Sequence, residues 1–442
     1  REVQAVDSEH KKNIQSDLWR MMQLIRSESN QNSIFNRFAT GSLDTLSKPL
    51  LRDALVDFHK KYYSSHLMTL VLVSNKPIEE LSKMVENMFS DVHLNNEMDK
   101  YLFNPNVESH FNFLDTKKFS EIPAYNENEC GNLYHVVPVK DLDLIYIYWY
   151  FDENFNLTYK KRPMDYISSV LGHEGPFSLT SSLIKDDLIS SLSSGGYTHA
   201  NTFFTFYFKI HLTKKGLNET ELVIQRVFEA LQMLKDQPIN KRYFDEISNI
   251  SKIKFDYKGK EDPTDYCSDL ANRFIQKPPQ DVLSGDYISF EYDEKYLRDT
   301  INNFQIKNCN IYLLSRSFEN KVNLSEKWYG TKYSKEKFSQ NIIDYYNGKF
   351  EKKHKHMISY PPENKFIAST FEIKPQENKD ENFPVLIDKN DTREIWFKQD
   401  NVFLLPKAVI YLQIYLKRDI LPASEYTIIS NIMNNILENE LL

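Results

Sequence analysis

The amino-acid sequence reads as an α+β fold of successive domains, each a sheet with helices packed on it, the first and last of them incomplete. Three observations carry that reading. At 442 residues the chain is too long for one ordinary domain. Its 41% hydrophobic and 14% aromatic content suffices for packed cores, and 11 glycines are too few for a disordered or fibrous chain. Amphipathic helical patterns alternate with short apolar strand patterns, and the helix, strand, helix order around residues 49–89 is that of half an α+β domain.

Taken in order, residues 1–13 carry Glu2 and Glu9 seven positions apart. Seven residues make about two helical turns, which puts both carboxylates on one face, roughly 10 Å apart along the axis. Both cannot easily bind one ion directly, but one could hold a metal while the other braces a neighbouring ligand. Two solvated glutamates near a helix N-terminus, favoured there by the helix dipole, explain the spacing as well. From Asn13 to Arg26 the apolar Ile14, Leu18, Met21, Met22 and Ile25 keep helical spacing, so Glu9 is expected on the first turns of one long anchored helix.

Phe38 to Ser42 is a loop, and Pro49 opens a helix that runs to about Tyr63. Met68 to Ser74 is expected as a buried strand, and Asn75 and Pro77 start a helix from Ile78 to Phe89 with Leu81, Val85 and Met88 facing inward. Residues 1–92 are thus expected to be the C-terminal half of a first domain, and 93–127 a connection.

A second domain is expected over 128–346. Leu144 to Phe151 alternates tyrosines with Ile145, Ile147, Trp149 and Phe151, as a half-buried strand would. Pro163 leads a helix into the turn Gly172-His173-Glu174-Gly175-Pro176, and Ser178 to Lys185 is a further short helix. Leu192 to Tyr197 and the alternating strand Phe204 to Leu212 follow. Thr220–Leu234 and Lys241–Phe255 are amphipathic helices, and Cys309 to Ser315 is a buried strand. Residues 347–382, rich in Lys, Glu, Asn and Pro, read as a linker whose His354 and His356 have no partner ligand at a usable spacing. From Phe383 a third domain begins, with strands at Glu394–Asp400 and Val409–Leu416 and a helix from Ser424 to Leu437.

The net charge of -7 gives no reason to expect nucleic acid as a partner. Cys130, Cys267 and Cys309 allow at most one disulfide, which fits a reducing compartment, and they are expected as buried free thiols. There is no apolar run of membrane-spanning length. No G-x-S-x-G elbow, G-x-x-x-x-G-K loop or G-x-G-x-x-G loop occurs.

The segments REVQAVDSEHKKN, followed by the helix bearing Trp19, then FATGS, YYSSHLMTLVLV, VPVKD, LGHEGPFSL, RSFENK, EKWYGTKY, FEIKP and IWFKQDNVFLLPKA occur in this order along essentially the whole chain. In that order they resemble the insulinase (pitrilysin, inverzincin) family of zinc metallopeptidases. The resemblance implies a zinc site made by an H-x-x-E-H helix and a glutamate on a later helix, with a further glutamate seven residues before it. Glu9 corresponds to that third ligand, and Glu2 to the glutamate that orients the ligands without touching the ion. His173, Gly195 and Gly196 correspond to an exosite where a turn and an edge strand hold the N-terminal end of a peptide by strand addition. Phe177 stands where the family relative has glycine, and Ser193-Ser194 where it has an apolar pair.

One departure is large. No H-x-x-E-H occurs, and Val6-Asp7-Ser8-Glu9-His10 puts valine where the first histidine belongs. Two histidine ligands and the glutamate base are missing, so the chain reads as the middle part of a longer zinc metalloendopeptidase and is expected to be inactive alone. The resemblance implies one Zn2+ in a site incomplete here and short unfolded peptides as substrates inside an enclosed chamber; a cytoplasmic location is expected, in keeping with the cysteine usage. Its partners would be those peptides and the missing N- and C-terminal segments of the same protein, with a homodimer allowed. The alternative is a non-catalytic peptide-binding paralogue, or a structural half of the same fold.

Overall fold

The computed structural model describes residues 1–97, 122–199, 202–288, 291–349, 357–373, 383–400, 402–415, 425 and 427–433. They divide into two compact units, Arg1–Phe255 with Gly259–Glu363, and Asp256–Lys258 with Asn364–Leu442.

At the centre of the larger unit lies a mixed sheet. Its strands are β1 (Asn132–Val136), β2 (Leu144–Phe151), β3 (Ile189–His199), β4 (Phe203–Leu212), β5 (Cys309–Leu314), β6 (Leu324–Ser325) and β7 (Lys332–Lys337). Their spatial order is β3-β4-β2-β5-β1-β7-β6, which leaves β3 as one edge. Among the described strands only the β1–β5 pair is parallel; β2 pairs antiparallel with both β4 and β5.

The helices of this unit are α1 (Glu2–Asn13), α2 (Asp17–Ser27), α3 (Leu43–Leu46), α4 (Leu51–Tyr62), α5 (Ile78–Phe89), α6 (Pro163–Leu171), α7 (Leu179–Lys185), α8 (Lys214–Asn218), α9 (Thr220–Asp236), α10 (Lys241–Asp256), α11 (Pro263–Phe274), α12 (Glu294–Asn302) and α13 (Gln340–Tyr346). Local chemistry starts several of them. Ser178, Asp262 and Asp293 each accept backbone N–H groups at the N-termini of α7, α11 and α12, and Pro163 and Pro263 occupy first positions where no N–H is needed.

Both faces of the sheet are covered. On one face Ile145, Ile147, Trp149, Phe206, Phe208, Ile210 and Ile311 pack with Val223, Val227 and Phe228 of α9, Ile167 of α6 and Ile301 of α12. On the other, Tyr134, Tyr146, Tyr148, Tyr150, Tyr312 and Tyr333 pack with Met21, Leu24 and Ile25 of α2. The alternation in β2 therefore separates two buried faces. The strand expected to be half-buried is buried along its whole length, because α2 covers the tyrosine side.

Three further expectations are corrected. The continuous helix expected through Asn13 is two helices, broken where Ser16 adopts an extended conformation. The break lets Asp17 at the start of α2 accept the N–H groups of Val139 and Lys140 at 2.7 and 3.0 Å. Met68 to Ser74 forms no strand, and Leu70, Leu72 and Val73 are 48%, 41% and 52% exposed. Among the described residues no strand lies beside it to satisfy its backbone groups. Met88 is likewise exposed, and Cys267 is only partly buried whereas Cys130 and Cys309 are buried; all three thiols are free.

In the smaller unit β8 (Val385–Lys389) and β9 (Glu394–Phe397) form an antiparallel hairpin whose turn is tied by the Asn390 side chain accepting the Thr392 and Arg393 N–H groups. Residues 409–415 are exposed and form no strand; residues 425 and 427–433 are helical. His354, His356 and the end of the helix expected to Leu437 lie outside the described residues. No described helix is long and apolar enough to cross a membrane.

Candidate functional site

Glu2 and Glu9 both lie on α1, exposed to solvent. The neighbouring arc of the helix is pinned. Asp7 is 5% and His10 7% exposed. The Asp7 carboxylate accepts the Leu43 N–H at 2.8 Å and pairs with Lys11 at 2.7 Å, and these two partners hold it below the usual carboxylate range. The His10 ring meets Phe38 and Tyr329 edge-on at 5.2 and 5.0 Å, while Phe38 stacks on Trp328 at 4.3 Å. A Cβ on Gly41 would sit 3.0 Å from both Val6 and Leu46, so the loop from Phe38 to Ser42 packs closely against α1. The helix is thereby fixed with one face free, and Glu2 and Glu9 are on the free face.

The following helix locks this arrangement to the sheet. Arg20 donates to the carbonyls of Ile14, Tyr329 and Gly330 at 3.3, 2.8 and 3.2 Å. Glu28, just past the end of α2, accepts from Tyr333 at 2.5 Å, Lys335 at 2.9 Å and Tyr134 at 3.3 Å. Ser27 donates to Glu326 at 2.9 Å, and Tyr125 to the Ile25 carbonyl at 2.5 Å. Charge-assisted bonds of this kind, made by partly buried groups, fix orientation as well as adding stability.

Among the described residues no group of three His, Cys, Asp or Glu side chains is placed to hold a metal ion. An exposed carboxylate on a fixed helix fits one ligand position for zinc, and Glu9 meets that requirement. The ligand set is not completed by the residues described.

The second set of sequence-derived residues is brought together by the fold. The turn after α6 touches the edge strand: a Cβ on Gly172 would sit 2.7 Å from Ser194 Oγ, and that hydroxyl donates to the Ser168 carbonyl at 3.0 Å. His173 folds over its own turn, with Nδ1 accepting the Gly175 N–H at 2.9 Å. Burial pushes the His173 pKa down, so the ring is neutral near pH 7, with the proton on Nε2. Gly195 and Gly196 lie on β3 opposite Tyr207 and Phe206. Gly196 is required by packing, because a Cβ there would be 2.3 Å from the Phe204 ring and 2.6 Å from the Thr205 carbonyl oxygen. At Gly195 a Cβ would make ordinary contact with Tyr207, no closer than 3.6 Å. Phe177 adopts φ +64°, the left-handed conformation that glycine takes without strain. The other edge of β3 carries no described partner strand.

The α2 contacts of Asp17, Arg20 and Glu28 were not among the sequence-derived candidates. The polar residues at both ends of the Met21–Ile25 stripe were the available signal, but their partners lie over a hundred positions away.

Comparison with known proteins places the chain among its relatives. Residues 50–251 match the model described as the peptidase M16 inactive domain, and residues 255–441 match the middle or third domain of peptidase M16. Insulin-degrading enzyme of Homo sapiens is 32% identical over 426 residues, covering 94% of this chain and 39% of the relative. Nardilysin of Homo sapiens is 32% identical over 452 residues, covering 100% of this chain and 37% of the relative. The crystal structure of pitrilysin superposes with a TM-score of 0.76 at 26% identity, over 90% of this chain and 40% of that one. The chain thus spans about two fifths of the length of these relatives. With two successive matches to the same family filling nearly all of residues 50–441, and a pitrilysin-like fold beneath them, the chain belongs to the M16 (insulinase/pitrilysin) family of peptidases.

Proposed function

We propose that this chain supplies part of a zinc-dependent metalloendopeptidase that hydrolyses short unfolded peptides in an enclosed chamber, with the rest of the zinc site contributed by segments of the same protein outside these residues. The observation that carries it is the placement of Glu9 on the free face of α1, whose adjacent face is held by Asp7, His10 and the Phe38–Ser42 loop. Glu9 is the carboxylate ligand. Glu2, about two turns earlier on the same face, orients the ligand set from outside it. Zinc bound in a completed site supplies a polarised water at neutral pH. The described residues contribute rigidity: α1 is locked to the loop, and α2 to the tyrosine face of the sheet, so Glu9 does not reorganise when the ligands assemble.

The free edge of β3, with the His173 turn packed against it, holds the substrate. Its unpaired backbone groups accept an extended peptide with little regard for side chains, and Gly195 leaves that region of the strand uncrowded. A peptide that binds the natural protein should lose at least about tenfold affinity when alternate backbone nitrogens are methylated, since strand addition needs those N–H groups. Equal affinity of the two peptides would remove β3 from the binding site.

The second reading is a non-catalytic peptide-binding member in which β3, inside the stretch that matches the inactive-domain model, is the working site and Glu9 binds no metal. Peptide cleavage by the natural protein, abolished by a chelator and restored by zinc, separates the two.

A further inference from the structure

At the β3–β4 hairpin end of the sheet, on its tyrosine face, lies a cavity of about 400 Å³. That volume is in the range of small-ligand sites. Its walls are aromatic. Tyr125 stacks on Tyr150 at 3.6 Å, His199 stacks on Phe203 at 4.5 Å, and Phe35 stands edge-on to both His199 and Phe203 at 4.9 and 5.0 Å.

Among the described residues one cation faces this aromatic box. Arg26 lines the cavity with its guanidinium carbon 4.4 Å from the centre of the Phe35 ring. It is partly buried, and burial lowers its pKa. Guanidinium has five N–H donors, and among the described residues the one bond it makes is from Nη1 to the Phe35 carbonyl at 3.3 Å. No described carboxylate pairs with it. The neighbouring His199 is held neutral, pushed down to about 3 by burial and then by the Arg26 charge, and its Nε2 is engaged with Thr205 Oγ1 at 2.8 Å. It therefore neither competes for an anion nor adds a second charge. Asp152 is at the exposed rim, and a single guanidinium matches a single carboxylate.

A desolvated arginine without an acidic partner is costly, and the cost is recovered when a carboxylate arrives in fork geometry. From the cavity, its aromatic walls and its unpaired guanidinium, we propose that this site binds a monocarboxylate carried on an aromatic or branched apolar body: the carboxylate on Arg26, the apolar body between Phe35, Tyr125 and Phe203. Free arylalkanoic acids and the C-terminal residue of a peptide share this chemistry. The site shares His199 with the end of β3 but uses neither α1 nor the backbone edge of that strand, so it does not depend on the peptidase reading.

The test is calorimetric titration of the chain with N-acetyl-phenylalanine, with N-acetyl-phenylalanine amide, and with an acetylated tripeptide ending in a free phenylalanine carboxylate. Saturable binding of the free acid, at least about tenfold weaker for the amide and at least about tenfold weaker in Arg26→Gln, supports the site. Equal binding of tripeptide and free acid assigns it to peptide C-termini; a preference of about tenfold or more for the free acid assigns it to small acids. Thr202→Trp, which fills the cavity while leaving Arg26 in place, should also abolish binding and guards against a folding defect in the arginine variant. Equal affinity for acid and amide, unchanged affinity in both variants, or no saturation by the free acid up to about 10 mM, overturns the proposal.

Discussion

Replacing Glu28 by glutamine keeps the shape of the side chain and removes the charge that ties α2 to the sheet. The carboxylate is 13% exposed and receives Tyr333 at 2.5 Å, Lys335 at 2.9 Å and Tyr134 at 3.3 Å. A hydrogen bond to a charged acceptor contributes about 1 kcal/mol more than a neutral one, so the two phenols together lose about 2 kcal/mol. Lys335 is 32% exposed, and its pairing adds at most about 1 kcal/mol. The expected loss is therefore about 2–3 kcal/mol, or a rise of roughly 30- to 150-fold in the opening equilibrium of α2. Hydrogen exchange followed by mass spectrometry on peptides covering residues 17–29 reads that opening directly. A change below about threefold, less than 1 kcal/mol, would show that apolar packing of Met21, Leu24 and Ile25 alone holds the helix, and the charged anchor would have to be abandoned.

Other outcomes follow from the same contacts. Gly196→Ala should destabilise the chain by about 1–3 kcal/mol, because the Cβ meets a ring and a backbone carbonyl, whereas Gly195→Ala should change stability by well under 1 kcal/mol; equal urea midpoints for the two variants would contradict the packing described for β3. His199 stays neutral in the folded chain down to about pH 3, while in the unfolded chain it takes a proton near pH 6.5. Protons therefore bind the unfolded state preferentially between those values, and stability falls as pH drops through that window, by up to about 1.4 kcal/mol per unit. Between pH 6 and 5 the natural protein should lose roughly 1 kcal/mol more than His199→Gln, measured as the shift in urea midpoint; parallel losses would show that the ring is protonated in the fold.

What the sequence made legible were elements whose burial pattern is local. β2, β4, β5, α9 and α10 fall close to where periodicity places them, because their apolar residues recur at the period of the element itself. Elements whose existence depends on distant partners were not legible. Lys332–Lys337, charged along most of its length, is a strand because β1 supplies its ladder. The helix break at Ser16 reflects the demand of Val139 and Lys140 for a carboxylate acceptor, over a hundred residues away. At the site, the seven-residue spacing of Glu2 and Glu9 was visible because helix geometry alone fixes it. The anchors that aim the helix, Asp7 on the Leu43 N–H and His10 against Tyr329, belong to contacts 36 residues away and far along the chain. The Arg26 cavity was invisible for the same reason: its walls come from separated segments around residues 26–35, 122–125, 150–152 and 199–203.

The most direct test of the role given to Glu9 is elemental analysis of zinc per chain in the full-length natural protein and in its Glu9→Gln variant, purified side by side without added metal. The expected result is one zinc per natural chain and, since removal of a direct ligand removes a bond to the ion, less than about a tenth of that in the variant with its circular dichroism unchanged. Equal zinc in the two proteins would show that Glu9 does not hold the ion, and no zinc in either would replace the peptidase reading by the peptide-binding one.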